Sequence, residues 1–207
     1  MKVVIASHNR GKLGEFSALL APLGLTLSDP GSLGIPAPQE DRTTFVENAL
    51  DKARYVARAS GLPALADDSG LVVPALGGAP GIRSARYAGE NASDAENNAL
   101  LIENLSRFEQ PEAHYYCALV FVRAHDDPAP VIATGLWRGA IIAAPRGVHG
   151  FGYDPHFLVP EFNRTAAELT PDRKNRLSHR ARALADLVAG LRESGDLPRR
   201  ARPAAGA

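Results

Sequence analysis

The chain of 207 residues is poor in features that mark several common protein classes. It has one cysteine, Cys117. A lone cysteine can form no intrachain disulfide and no cysteine-rich zinc site. It lies in the apolar run HYYCALVFV, where a small buried hydrophobe is expected, and it suits a reducing compartment. Net charge is also absent, since 23 Lys and Arg balance 23 Asp and Glu. That disfavours bulk nucleic acid or an anionic membrane as the main partner. No apolar stretch approaches the length that spans a bilayer, and the apolar part of MKVVIASHN is too short for a signal peptide. A cytoplasmic protein is expected. His114, His125, His149 and His156 lack H-x-x-x-H or H-E-x-x-H spacing and receive no metal role. There is no G-x-G-x-x-G and no Walker A loop: Ala6 stands where that loop needs glycine. Lysine is scarce, at Lys2, Lys12, Lys52 and Lys174 only, the other nineteen cations being arginine. A compact ammonium is not replaced by guanidinium at every site, so these four draw attention.

What is present reads as strands alternating with helices. KVVIA (2–6) is a buried strand and LTLSD another. Between them, Leu13, Phe16, Leu19, Leu20 and Leu23 repeat at helical spacing, with Gly24 as the stop. TTFVENALDKARYVARASG is a helix with Thr44 and Glu47 as its capping box. ALADDSG is a strand and turn, with LVVPAL as a candidate next strand. SDAENNALLIENLSRF is a helix boxed by Ser93 and Glu96. AHYYCALVFVRAH and PVIATGLWRGAII form a hairpin of long strands. TPDRKNRLSHRARALADLVAGL opens with a threonine cap and Pro171 at the first helical position. The pattern predicts an α/β fold with a mixed sheet. Residues 1–194 are expected to form one domain, and the basic, proline-rich 195–207 a disordered tail.

Several segments could carry chemistry. SHNRGK sits between a strand and a helix, where backbone N–H groups and the helix dipole favour an anion. Ser7 and Asn9 add donors, Gly11 allows close approach and Lys12 adds charge. An ordinary polar turn is the alternative. Glu40, Asp67 and Asp68 are acids at loop or strand-end positions. Mg²⁺ needs one or two carboxylates with phosphate oxygens and water. One aspartate before Ser-Gly satisfies turn chemistry, but two adjacent charges repel and ask for another reason. The aromatic pair in GFGYDP could stack on a nucleobase or simply fill a core. SHR (178–180) could donate to carbonyl oxygens on a base or line a polar helical face.

Taken in order, S-H-N-x-G-K, E-N-A-x-x-K-A, A-D-D-S-G-L, G-G-A-P-G-x-x-S-A-R-Y, G-F-G-Y-D-P, T-A-A-E-L and K-N-x-x-S-H-R resemble the Ham1-like family, the inosine/xanthosine triphosphate pyrophosphatases. The resemblance runs from about Val3 to Leu191. It implies an elongated mixed β-sheet flanked by helices, with two lobes around a central active-site cleft, and a homodimer. It implies hydrolysis of ITP, dITP or XTP to monophosphate and pyrophosphate with Mg²⁺. By the same resemblance, Ser7, His8, Asn9, Arg10, Gly11 and Lys12 are the phosphate-binding turn. Glu40 and Asp68 are metal-binding acids, with Asp68 also the general base, and Asp67 and Ser69 line the cleft beside it. Lys52 and Lys174 bind substrate, Phe151, Gly152, Tyr153 and Asp154 surround the base, and His179 and Arg180 read it. The family often has E-T-G where this chain has Glu40-Asp41-Arg42, so the loop that carries Glu40 has lost its glycine.

Two other readings compete. A Maf-like nucleotide pyrophosphatase would act on other nucleotides, and a non-enzymatic regulator would bind nucleotide without turnover. SHR and GFGYDP argue against the first, and an acid suited to Mg²⁺ and water argues against the second.

Overall fold

The computed structural model describes residues 1–7, 10–20 and 23–198, and for Arg10, Glu15, Ala18 and Leu19 the backbone only. One seven-stranded sheet runs through it, in the order β2-β1-β3-β4-β5-β6-β7. The strands are β1 (Lys2–Ile5), β2 (Thr26–Ser28), β3 (Ala64–Val72), β4 (Glu112–Val122), β5 (Val131–Ile141), β6 (Phe157–Val159) and β7 (Arg164–Thr165). The helices are α1 (Arg10–Leu20), α2 (Phe45–Ser60), α3 (Asp94–Asn104), α4 (Pro171–Leu177) and α5 (His179–Glu193). β1 lies parallel to β2 and β3, and every other pairing is antiparallel. This is the expected mixed α/β sheet, with the long hairpin as β4 and β5.

Period-two alternation sorts the core. Even positions Val4, Ala64, Ala66, Ala118 and Val120 pack under Ala49, Ala53 and Val56 of α2. Odd positions Val3, Ile5, Leu65, Cys117 and Leu119 face Phe16 of α1 and Ala183, Leu184 and Leu187 of α5. Cys117 is fully buried, and burial pushes its thiol pKa up. A third cluster, with Leu71, Leu101, Tyr115, Trp137 and Phe157, fills the β5–β7 end beneath α3. The cleft lies between these clusters.

The contact of α5 with the sheet depends on one glycine. A Cβ on Gly135 of β5 would collide with the His179 carbonyl and the Ala183 backbone nitrogen. Overpacking of this kind costs about 1–3 kcal/mol. Gly135→Ala is expected to lower the midpoint of a thermal melt by several degrees, and an unchanged midpoint would contradict so close a packing.

Four sequence expectations need correction. β3 does not turn at Asp67–Gly70: its register with β4 continues unbroken from Ala64↔Val122 to Val72↔His114. The two aspartates therefore stand mid-strand, not at a strand end. Gly70 is there for clearance, because a Cβ would strike the Gly81 carbonyl and the Ser84 hydroxyl. Second, the helix expected from Thr170 to Leu191 is two helices. Ser178 donates its N–H to the Lys174 carbonyl at 2.9 Å and accepts from Ala181 N–H at 3.2 Å. It ends α4 and caps α5, a competition for backbone partners at which serine is good. Third, Thr44 caps α2, but Glu47 accepts from the Thr44 hydroxyl, so the expected box there is not reciprocal, whereas that of Ser93 and Glu96 is. Fourth, α1 starts at Arg10, which puts Gly11 and Lys12 in its first turn.

Beyond α5, Asp196 pairs with Arg123 at 2.7 Å and Leu197 packs into the core. Residues 199–207 of the expected tail lie outside the described residues. Among the described residues, no helix is long and apolar enough to cross a membrane.

Candidate active site

A cavity of about 290 Å³ opens over the second half of β3. Its walls hold Ser7, Lys12, Glu40, Lys52, Asp67, Asp68 and Ser69 at one end, and Phe151, Gly152, Tyr153, Asp154, Lys174, His179 and Arg180 at the other. Gly11 is not among the lining residues. Of the expected phosphate turn, His8, Asn9 and the Arg10 side chain lie outside the described residues.

Strand alternation sends the two aspartates to opposite faces of the sheet. Asp68 turns towards α2. Its Oδ2 accepts from Asn48 Nδ2 at 3.1 Å and its Oδ1 from Lys52 Nζ at 3.3 Å. Lys52 also donates to Glu40 Oε1 at 3.0 Å, so one ammonium bridges both acids. Burial raises the Asp68 pKa from its ordinary value, and the Lys52 and Lys12 charges only partly offset it. Burial would lower the pKa of Lys52, but Asp68, Asp67 and Glu40 outweigh it and hold the ammonium charged.

Asp67 turns towards α1 and α5. Its Oδ2 lies 2.9 Å from Lys12 Nζ, 3.7 Å from Arg180 Nε and 3.0 Å from the Ser69 hydroxyl, which donates to it. Ser69 in turn accepts from Arg180 Nη2 at 2.9 Å. Burial would raise the Asp67 pKa, but Lys12 and Arg180 more than reverse this and hold it well below the usual range. The neighbours thus differ in kind. Asp67 is a fixed counter-charge, and Asp68 is the stronger base.

The Glu40 loop, which lacks the glycine, is held by side-chain hydrogen bonds. Arg86 donates to the Glu40 carbonyl at 2.8 Å, and the Arg42 N–H donates to Asn48 Oδ1 at 3.0 Å. Arg42 also reaches Asp51 of α2 at 2.6 Å. Asn48 therefore ties this loop to Asp68 through one buried amide.

At the other end, Asp154 is a buried hub. It accepts from Lys174 Nζ at 2.6 Å, from the Tyr115 hydroxyl at 3.2 Å and from Phe151 N–H at 3.0 Å. Tyr153 is buried too, its hydroxyl donating to the Ser84 carbonyl at 2.8 Å. The Phe151 ring stays in reach of two cations, 4.7 Å from Lys174 Nζ and 5.4 Å from the Arg180 guanidinium. The His179 ring stacks on Tyr115 at 4.8 Å. Burial, aided by Arg180, Lys174 and Lys12, holds its pKa well below the ordinary value, so the imidazole is neutral near pH 7. Its Nδ1 has no hydrogen-bond partner among the described residues.

Sequence reasoning missed Asn48, Asp94, Tyr115 and Ser84 as parts of this site. Asn48 had a signal, one helical turn before Lys52 on the same side of α2. Tyr115 had none, since an aromatic in an apolar strand reads as core.

The family model described as the Ham1 family matches residues 3–190. A protein of Ralstonia nicotianae named dITP/XTP pyrophosphatase is 59% identical over 92% of this chain and 96% of its own length. One of the same name from Nitrosomonas europaea is 56% identical over 95% and 97%. The solved structure of a HAM1 protein from Coxiella burnetii superposes with a TM-score of 0.87 at 46% identity, covering 93% of this chain and 99% of that one. This similarity over most of the chain has one meaning: the chain belongs to the Ham1 family.

Proposed function

We propose that this chain is a nucleoside-triphosphate pyrophosphohydrolase that converts the deaminated purine nucleotides ITP, dITP and XTP to monophosphate and pyrophosphate. The observation that carries this reading is the two-ended cleft. Lys12, Lys52 and the start of α1 suit a polyphosphate at one end. Phe151, Lys174, His179 and Arg180 suit an oxidised purine at the other. Relatives named dITP/XTP pyrophosphatase, 54–59% identical over most of their length, support the substrate class.

Glu40 and Asp68 are the residues that would hold Mg²⁺. Their hard oxygen donors fit an ion that takes one or two carboxylates and completes its shell with phosphate oxygens and water. When bound, the ion neutralises phosphate charge and makes a bound water more acidic. The chain's own groups do the rest. Lys12 and Lys52 stabilise negative charge on the departing pyrophosphate. Asp68 takes a proton from water as its oxygen attacks the α-phosphorus, and the bond to the bridging oxygen breaks. Arg180 donates to the 6-oxo group, which adenine replaces with an amino group. A site built on such bonds rejects the mismatch by about 10⁴-fold or more.

A panel of nucleoside triphosphates with pyrophosphate detection tests this. ITP, dITP and XTP are expected to exceed ATP in kcat/KM by about 10⁴-fold, with that preference reduced in Arg180→Ala. Preferred hydrolysis of pyrimidine nucleotides would favour the Maf-like reading, and binding of ITP without turnover would favour a regulator.

A further inference from the structure

The wall formed by Phe151 rests on a helix that no motif of the cleft includes. Gly152 follows Phe151 with φ +63°, a left-handed conformation that glycine adopts readily. Both of its backbone polar groups are held by α3. Its N–H donates to Asp94 Oδ2 at 2.6 Å, and its carbonyl accepts from Asn98 Nδ2 at 2.9 Å. Asp94 and Asn98 lie four residues apart, so they project from one face of the helix as a clasp. The N-terminus of α3 is itself fixed by the Ser93–Glu96 box. Asn97 adds a tether next door, taking the Ala88 N–H at 2.8 Å and giving to the Ala85 carbonyl at 3.2 Å.

We infer that Asp94 and Asn98 are positioning residues for the purine base, setting the Phe151 wall through the Gly152 peptide. This rests on the reading of the cleft as a nucleotide site. The clasp acts on the base end alone. The carboxylates and ammonium groups of the phosphate end stand on β3, α1, α2 and the Glu40 loop, and neither Asp94 nor Asn98 is hydrogen-bonded to them. Loosening the clasp therefore weakens binding of the base and spares the chemistry at phosphorus.

Hydrogen-bond roles give the test its direction. Asn98→Ala removes the donor to Gly152, and alanine is the better helix former. Asp94→Asn keeps an oxygen that accepts from the Gly152 N–H, whereas Asp94→Ala does not. Asn98→Ala and Asp94→Ala are expected to raise KM for dITP about tenfold with kcat within threefold, on the scale of one or two lost hydrogen bonds. Asp94→Asn is expected to stay within about twofold of the parent. Calorimetric titration without turnover gives a second readout. IMP binding is expected to weaken about tenfold in Asn98→Ala, with inorganic tripolyphosphate binding unchanged. The Asn98→Ala melting midpoint is expected to hold or rise. Equal loss for IMP and tripolyphosphate, a fall in kcat at constant KM, or parental behaviour of both alanine variants would overturn the inference. If the parent protein bound no IMP and hydrolysed no dITP, the reading of the cleft would fall first.

Discussion

Asp68→Asn is expected to lower kcat for dITP by about 10³-fold, within the 10²–10⁴ range of a lost general base, while the protein melts no earlier than its parent. The two halves of this result have one cause. Burial lifts the Asp68 pKa above its ordinary value. That makes the carboxylate a better proton acceptor than an exposed one near pH 4. It also means that the ionised form is disfavoured in the folded state. An acid whose folded pKa exceeds its unfolded pKa costs stability once the pH passes the folded value. Asparagine at this position removes that penalty at neutral pH and can keep partners, its oxygen accepting from Asn48 Nδ2 or Lys52 Nζ. Lys52 retains Glu40 at 3.0 Å, so no ammonium is left stranded. Steady-state kinetics with pyrophosphate detection and a thermal melt at pH 7.5 make the check. Near-parental turnover in a folded Asp68→Asn protein would remove Asp68 from the reaction. A large loss of stability would mean that its role is structural.

Much of the architecture was legible because burial leaves a period in the sequence. Val3, Ile5 and Leu65 alternate with Val4, Ala64 and Ala66, and the two sets do face different helices. The candidate residues were legible for a different reason, the resemblance of seven ordered motifs to one family; the adjacent acids and scarce lysines drew attention to several of those motifs without assigning a role. Two readings went astray where one residue type serves two purposes. Ser69 and Gly70 look like a turn after Asp68. In the structure Ser69 joins Asp67 to Arg180, and Gly70 makes room for the Gly81–Arg86 segment. Ser178 looks like a polar helical residue, yet it restarts the helix and directs His179 and Arg180 into the cavity. Asp94 drew no reading from the sequence, yet it holds a peptide 58 residues away. No local pattern records such a contact, because only the packed sheet brings its two ends together.

Asp67→Asn tests the other member of the pair and is expected to act on stability. The side chain is almost wholly buried, and it faces Lys12 and Arg180 together. Asparagine matches its shape and still accepts from Ser69, but Lys12 and Arg180 then lose the buried carboxylate that both face. Breaking a buried ion pair from one side costs about 3–5 kcal/mol. At about 3 kcal/mol the melting midpoint of a chain this long falls by roughly 6–12 °C. The pH dependence identifies the cause. Asp67 has its folded pKa depressed well below the unfolded value near 4. Its contribution is therefore complete above that unfolded value and is lost as the pH falls towards the folded one. The gap between parent and Asp67→Asn is expected to be constant from about pH 5 to 8 and to narrow below about pH 4. Melts across that range read it directly, and a gap that did not narrow in acid would assign the loss to packing. Tripolyphosphate supplies the missing negative charge to Lys12. It is expected to raise the midpoint of Asp67→Asn more than that of the parent, in which Lys12 must first give up Asp67. If both midpoints rose equally, the Lys12–Asp67 pair would not be the one that substrate phosphates displace.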